Sequence, residues 1–273
     1  MRLENIINLK VIERLRIGII GGSGLSKSKI EQKSFKVETP YGKPSSAYEL
    51  QEIDNKSIFF LRRHGEGHTI PPHKVNYRAN IFGFKELKVE RIFGVFAVGS
   101  LNENIPPGSI VIPNQLIDFT QGMRENTFFD GPRVVHIDFT NPFCEELRNL
   151  IFKSAEKMGI SLFTEGTYIC INGPRLETQA EIKFYKNIGA DIIGMTLMPE
   201  AALAREAEIC YVALTVVANY AAGISKRKLT VKEVVETMNE KVEQIRQLIK
   251  ETLSILPQQR FCSCKDALKD ASF

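Results

Sequence analysis

Between Tyr168 and Glu181 the chain reads YICINGPRLETQAE, and this stretch restricts the possible folds more than any other. An apolar, β-prone run breaks at Gly173-Pro174 and passes into a helical pattern. Pro174 fixes its own φ and biases Asn172-Gly173 away from helix, so Arg175, Leu176 and Glu177 are presented in a defined turn before Thr178 caps the next helix. Such a junction hands side chains to whatever lies above a sheet. A capped loop with a solvated glutamate has the same local pattern, so its meaning depends on the neighbouring segments.

Those segments repeat the alternation. Short apolar runs at 16–20, 48–53, 57–61, 91–98, 109–112, 115–119, 191–193 and 210–217 read as strands, and 3.6-period runs at 76–87, 142–159, 179–187, 199–208 and 231–255 read as helices. No repeat or low-complexity linker interrupts them. One α/β domain over residues 16–255 is expected, with an N-terminal extension at 1–15 and a polar, cysteine-containing tail at 256–273.

A chain of 273 residues with 43% hydrophobic and 25% charged residues can bury a large core. Its formal charge of +4 is mild and the basic residues are scattered, so nucleic acid is not an expected partner, whereas a small anion is compatible. No apolar run reaches about 18 residues, and MRLENIINLKVIERLR lacks the apolar core of a signal peptide. No membrane association and a cytoplasmic location are therefore expected. The five cysteines are too few and too dispersed along the sequence for a disulfide scaffold.

Polar groups recur where strands end. The first strand runs into Gly21-Gly22-Ser23-Gly24, which lacks the third glycine of GxGxxG and the Gly-Lys-Ser/Thr of a P-loop. The stretch RRHGEGHTIPPHKVNYRAN, from Arg62, holds three of the four histidines in the chain. Gly65, Gly67, Pro71 and Pro72 prevent His64, His68 and His73 from sharing a helical face, so a metal site is not expected there. An Arg63-His64 pair after an apolar strand suits an oxyanion, with the guanidinium fork gripping two oxygens. Ser23, Arg63 with His64, the turn at Ala97, Glu177, Thr196 and Asn219 would converge on a ligand at the carboxyl ends of the strands. Periodicity and spacing lead to a composite anion and small-molecule site, and no further.

The motifs IGIIGGSGL, RHGEGH with PPHKVNYRAN, AVGSLNENIPPGSIVIP, FFDGP, NPFC, GPRLETQAE and IIGMTLMPEAALARE, in this order, resemble the trimeric class of purine nucleoside phosphorylases, nearest its methylthioadenosine phosphorylase branch. The resemblance covers Arg16 to Ile255. It implies a single-domain fold with a mixed central sheet flanked by helices, and phosphorolysis of a purine nucleoside to free base and a pentose 1-phosphate. It also implies a homotrimer or homohexamer, inorganic phosphate as co-substrate, and no metal or organic cofactor. Position by position, Ser23, Arg63, His64, Phe96, Ala97 and Thr196 would stand around phosphate. Met195 would lie under the ribose, and Leu176, Glu177, Asn219, Tyr220 and Ala221 would surround the base. Val231 would line the 5′ end, where this chain offers Leu229 and Val231 and no histidine, which suits an apolar methylthio group. His136, after FFDGP, would reach the neighbouring subunit's site. The Cys262-Ser263-Cys264 tail resembles thermophilic archaeal members that use disulfides, and Cys144 and Cys210 match positions that pair there.

Three departures modify the expected chemistry. Phe96 stands where that branch carries a threonine, Ala218-Asn219-Tyr220-Ala221 replaces its base-reading TDYD, and Glu177 replaces a small hydroxyl residue. Glu177 with Asn219 resembles instead the enzymes that use 6-oxopurines. The hydrogen-bond inventory agrees: hypoxanthine and guanine present an O6 acceptor and an N1–H donor, whereas a 6-aminopurine presents the reverse. A carboxylate accepts from N1–H, and an amide donates to O6 or N7 as charge builds on the leaving base. The expected activity is phosphorolysis of inosine, guanosine or 5′-methylthioinosine, with Glu177 and Asn219 as the catalytic pair. The alternatives are a methylthioadenosine phosphorylase with an altered base pocket and, because of Phe96, a nucleoside-binding homologue without catalysis. A metal-dependent hydrolase is the outlying reading.

Overall fold

The computed structural model describes residues 14–22, 33–120, 122–225 and 231–272. The fold is a mixed α/β domain with a central sheet. Its strands are β1 (Leu15–Gly21), β2 (Lys33–Phe35), β3 (Tyr48–Ile53), β4 (Lys56–Arg62), β5 (Arg91–Ser100), β6 (Ile110–Val111), β7 (Gln115–Phe119), β8 (Thr167–Ile171), β9 (Ile192–Gly194) and β10 (Cys210–Tyr220). The α-helices are α1 (Tyr77–Glu86), α2 (Glu145–Lys157), α3 (Gln179–Asn187), α4 (Glu200–Glu206) and α5 (Val231–Ser254).

The strand order is β2-β3-β4-β1-β5-β9-β8-β7, with β10 beside β5 and β6 beside β10. β5 is the hub. It runs parallel to β1 through Arg91–Gly94 and to β10 along its whole length, and it meets β9 antiparallel at Gly99 and Ser100. Because β1, β4, β5 and β10 are mutually parallel, their carboxyl ends share one edge.

Period-two alternation along β5 and β10 separates two cores. Ile92, Phe96, Val98, Tyr211, Ala213 and Val217 pack with α1 and α4. Phe93, Val95, Val212, Leu214 and Val216 pack with α2 and α5. A third cluster joins Ile169, Ile171 and Ile193 to Ile182 and Tyr185 of α3.

Helix starts follow local capping chemistry. Asn76 caps α1 by accepting from the Ala79 N–H at 3.1 Å. Thr178 and Glu181 form a reciprocal capping box on α3. The helix expected at 142–159 begins only at Glu145, a correction with a clear cause. Cys144 is extended and its N–H donates to Tyr211 O at 2.8 Å, which ties the preceding residues to β10 instead of to a helical turn. β5 and β10 also run further than their apolar patterns, to Ser100 and Tyr220. The tail does not trail away: Arg91 donates to Pro257 O and Gln259 O, and the His136 N–H donates to Ala271 O.

Candidate active site

Along β5, nine positions are buried or half-buried and Ala97 is exposed, between buried Phe96 and Val98. A small residue open to solvent in a core strand marks a cleft. The strand-end groups are placed as follows.

Arg63 follows β4 and is 2% exposed. Its fork does grip two oxygens, but they belong to Glu200: Nε donates to Oε2 at 2.7 Å and Nη2 to Oε1 at 2.8 Å. Nη1 donates to Val95 O and Nη2 also reaches Ile20 O, so among the described residues one Nη1–H is left for a ligand. The Tyr211 hydroxyl donates to Glu200 Oε1 at 2.6 Å and completes a buried network. The expectation that the fork itself holds the oxyanion is corrected accordingly.

Phe96 is corrected as well. Its ring is buried, 4.2 Å beneath the Arg63 guanidinium carbon and edge-on to Tyr168. The alternation that turns Ala97 outward turns Phe96 inward, so its side chain packs in the core beside Arg63 and Tyr168 and does not face the Ala97 side. The case for a non-catalytic homologue loses its motive.

His64 Nδ1 lies 2.8 Å from Ile70 O, and a carbonyl only accepts, so Nδ1 carries the proton and Nε2 is an acceptor. Burial, then the neighbouring Arg63, pushes the imidazole pKa down to about 4, which keeps it neutral at physiological pH. The sign for stability follows: unfolded histidine protonates near 6.5 and folded His64 only near 4, so stability is lost as pH falls through that window. Unfolding midpoints measured from pH 8 to 4 should show this loss reduced in His64→Asn; an unchanged profile would contradict the assignment.

Arg124 was not singled out in the sequence, because nothing in its loop distinguishes it from a surface arginine. It donates to Asn172 O and Met195 O at 2.9 Å, to Asn172 Oδ1 at 3.0 Å and to Met198 O at 2.5 Å, clasping the ends of β8 and β9. The two ends also touch directly. A Cβ on Gly173, whose φ is +63°, would stand 2.4 Å from Met195 Sδ, so only glycine allows this approach. Arg124→Met leaves several carbonyls unpaired, and a fall of roughly 10- to 100-fold in kcat/KM for nucleoside is expected.

Glu177 is half-buried after this turn. Arg175, its nearest cation in sequence, is engaged by Glu181 through bonds of 2.9 and 2.6 Å, which hold the Glu181 pKa down to about 2. Burial raises the Glu177 pKa, and no described side chain forms an ion pair with it. Asn219 stands where the pairing of β10 with β5 slips, between Val217 and Asn219, and such a bulge re-aims side chains. Its Nδ2 donates to Tyr220 O at 2.8 Å, leaving one N–H and the amide oxygen. The following loop closes against α3: a Cβ on Gly223 (φ +81°) would stand 2.9 Å from Gln179 Cγ. Thus the segments carrying Glu177 and Asn219 pack together.

The other expected site residues are distributed unevenly. Thr196 is buried and Met195 half-buried beside the Arg124 clasp, while Leu176 is 50% exposed. Ala221 is buried in the third core, and the half-buried Tyr220 donates its hydroxyl to Glu103 O. His136 is exposed, beside the tail. Ser23 and the Val231 side chain lie outside the described residues. Two cavities of about 340 and 390 Å³ lie elsewhere, one between the β3–β4 turn and α5, the other around Asn102, Asn114 and Asp191.

The strand ends of this α/β sheet thus carry a neutral histidine, an exposed Ala97, a half-buried carboxylate and an amide with one N–H left among the described residues, an inventory that suits an anion and a polar heterocycle. The family model described as the phosphorylase superfamily matches residues 16–254. A probable S-methyl-5′-thioinosine phosphorylase of Thermodesulfovibrio yellowstonii is 66% identical over 261 residues, 96% of this chain and 98% of that one. A probable 6-oxopurine nucleoside phosphorylase of Thermococcus kodakarensis is 49% identical over 266 residues, covering 94% and 98%. Among solved structures, a methylthioadenosine phosphorylase from an antarctic soil metagenomic library superposes with a TM-score of 0.88 at 37% identity, covering 96% of this chain and 93% of that one. The chain belongs to the phosphorylase superfamily and is a purine nucleoside phosphorylase of its methylthioadenosine phosphorylase branch.

Proposed function

We propose that the enzyme cleaves 6-oxopurine nucleosides, with inosine, guanosine and 5′-methylthioinosine as the substrates to compare first. The observation that carries this reading is the Glu177 carboxylate, half-buried and in no ion pair with the described residues, the Arg175 guanidinium being bonded to Glu181. An acceptor-only group at that place matches N1–H, and Asn219 supplies a donor for O6 or N7. The names of the two relatives above point to the same substrate class.

Phosphate would sit over Ala97, accept from its backbone N–H and from the last Nη1–H of Arg63, and donate its own remaining proton to His64 Nε2. Thr196, and Ser23 by the resemblance, complete that set. A phosphate oxygen attacks C1′ as the C1′–N9 bond breaks, and the electron pair passes to the base, where Asn219 meets the developing charge. Positioning and charge complementarity suffice for such a step, and no metal or organic cofactor is assigned to it. Initial rates with phosphate on 6-oxo and 6-amino nucleosides test the proposal, and a preference for methylthioadenosine would overturn it. Placement in the cytoplasm belongs to the same reading.

We also propose a homotrimer or a dimer of trimers. Phe119 and Phe184 are 43% and 51% exposed and pack on Tyr185, leaving an apolar patch suited to a subunit contact. His136 would extend from such a contact into the adjacent site. Sedimentation at micromolar concentration should give a trimer or hexamer, and a monomer would contradict it.

A further inference from the structure

Cysteines dispersed in the sequence are brought together by the fold. The sulfurs of Cys144, Cys210, Cys262 and Cys264 all lie within 4.8 Å of one another, and Cys210 Sγ approaches Cys262 Sγ at 3.2 Å. All five cysteines of the chain are free thiols, and Cys170 is the one left out of the group. We propose that these four sulfurs form a tetrathiolate site for one zinc-class divalent ion, which fastens the C-terminal tail to the sheet.

The ligands come from separate segments. Cys144 precedes α2, Cys210 opens β10, and Cys262 and Cys264 flank Ser263 on the tail. Four sulfurs held tetrahedrally at about 2.3 Å from zinc are separated by about 3.8 Å, the scale on which this group is already assembled. Its backbone is fixed by bonds that do not involve sulfur. The Cys144 N–H donates to Tyr211 O at 2.8 Å, and the Phe261 and Cys262 N–H groups donate to Glu146 Oε2 at 2.7 and 3.0 Å. One buried thiol is ordinary core packing, but apolar packing gives no reason for four to converge from three segments.

Charge supplies a second, independent observation. Binding exchanges four thiol protons for the ion, Zn²⁺ + 4 RSH → [Zn(SR)₄]²⁻ + 4 H⁺, so the product is a dianion that needs a cation or N–H donors nearby. Arg91 pairs in register with Cys210 and therefore lies on the same face of the sheet. It is fully buried, and among the described residues its Nε and Nη1 have no hydrogen-bond partner, while Nη2 donates to Pro257 O and Gln259 O of the tail. Glu90 and Glu146 form ion pairs with it at 3.5 and 3.7 Å, longer than hydrogen-bond contact. A buried guanidinium with two N–H groups short of a hydrogen bond, on the face of the sheet that carries Cys210, suits a metal-thiolate dianion.

The sequence led to no metal expectation here, and the disulfides implied by the resemblance compete for the same atoms. The two outcomes exclude each other, since the ion needs four thiolates and disulfides consume them in pairs. The full-length enzyme, purified without chelator, should contain one zinc per chain by elemental analysis, released as a mercurial titrates the thiols. Cys262→Ser/Cys264→Ser should lower the zinc content to background. Loading the reduced wild-type apoprotein with Co²⁺ should give the intense visible bands of tetrahedral thiolate coordination, which keeps the test valid if the double variant does not fold. Removing the metal should lower the unfolding temperature and expose the tail to proteolysis. Absence of zinc and of a Co²⁺ spectrum after loading, or a single titratable thiol in denatured, unreduced protein, overturns the proposal.

Discussion

With phosphate present, inosine, guanosine and 5′-methylthioinosine are expected to exceed the matching 6-amino nucleosides in kcat/KM by about 10² or more, the range expected when the wrong ligand leaves buried polar groups unpaired. Glu177→Gln should lower kcat/KM for the 6-oxo substrates by roughly 10- to 150-fold, because it replaces a charge-assisted bond worth about 1.5–3 kcal/mol with an amide that must turn its own NH₂ away from N1–H. Burial raises the Glu177 pKa, so the carboxylate is lost from solution conditions sooner as pH falls. The acid limb of the wild-type profile should therefore lie above the ordinary glutamate value and change in Glu177→Gln. Asn219→Asp should shift selectivity toward adenosine, since a protonated carboxyl can donate to N7 and accept from N6. Equal loss on every substrate in both variants would mean that these residues do not read the base.

Glu200→Ala is expected to destabilise the protein by about 3–5 kcal/mol, the cost of leaving a buried charge without its partner. Arg63 would keep its bonds to Val95 O and Ile20 O but lose both carboxylate contacts, and the Tyr211 hydroxyl would lose its acceptor. For a domain of this size the unfolding midpoint should fall by roughly 6–20 °C. Replacing both partners by apolar residues, as in Arg63→Met/Glu200→Leu, should cost less than the single change because no uncompensated charge remains. Calorimetry on the three proteins decides this. A single variant within about 1 kcal/mol of wild type would show that water or a neighbouring group already solvates Arg63.

The two residues at the centre of these predictions were unequally visible in the sequence. Glu177 was legible because Gly173-Pro174 and the Thr178–Glu181 capping box are local: chain stereochemistry within a few residues fixes where that carboxylate leaves the strand. The same holds for β5 and β10, whose apolar runs had to be buried strands, and for Asn76 at the start of α1. Glu200 stood in plain view in the motif IIGMTLMPEAALARE, a carboxylate at the head of an apolar stretch, yet its role depends on a partner 137 residues away.

Long-range pairing of this kind decided everything that periodicity left open. Whether the Arg63 fork meets a ligand or Glu200, whether Phe96 faces the cleft or the core, and which loops Arg124 clasps are set by the register of β5 against its neighbours. The sequence alone determined an α/β chain whose strand ends carry polar groups suited to an anion and a base. The tertiary structure alone chose which of those groups are left unpaired for a ligand, and it placed four distant cysteines around one point, because hydrogen-bond partners and sulfur contacts depend on separation in space and not along the chain.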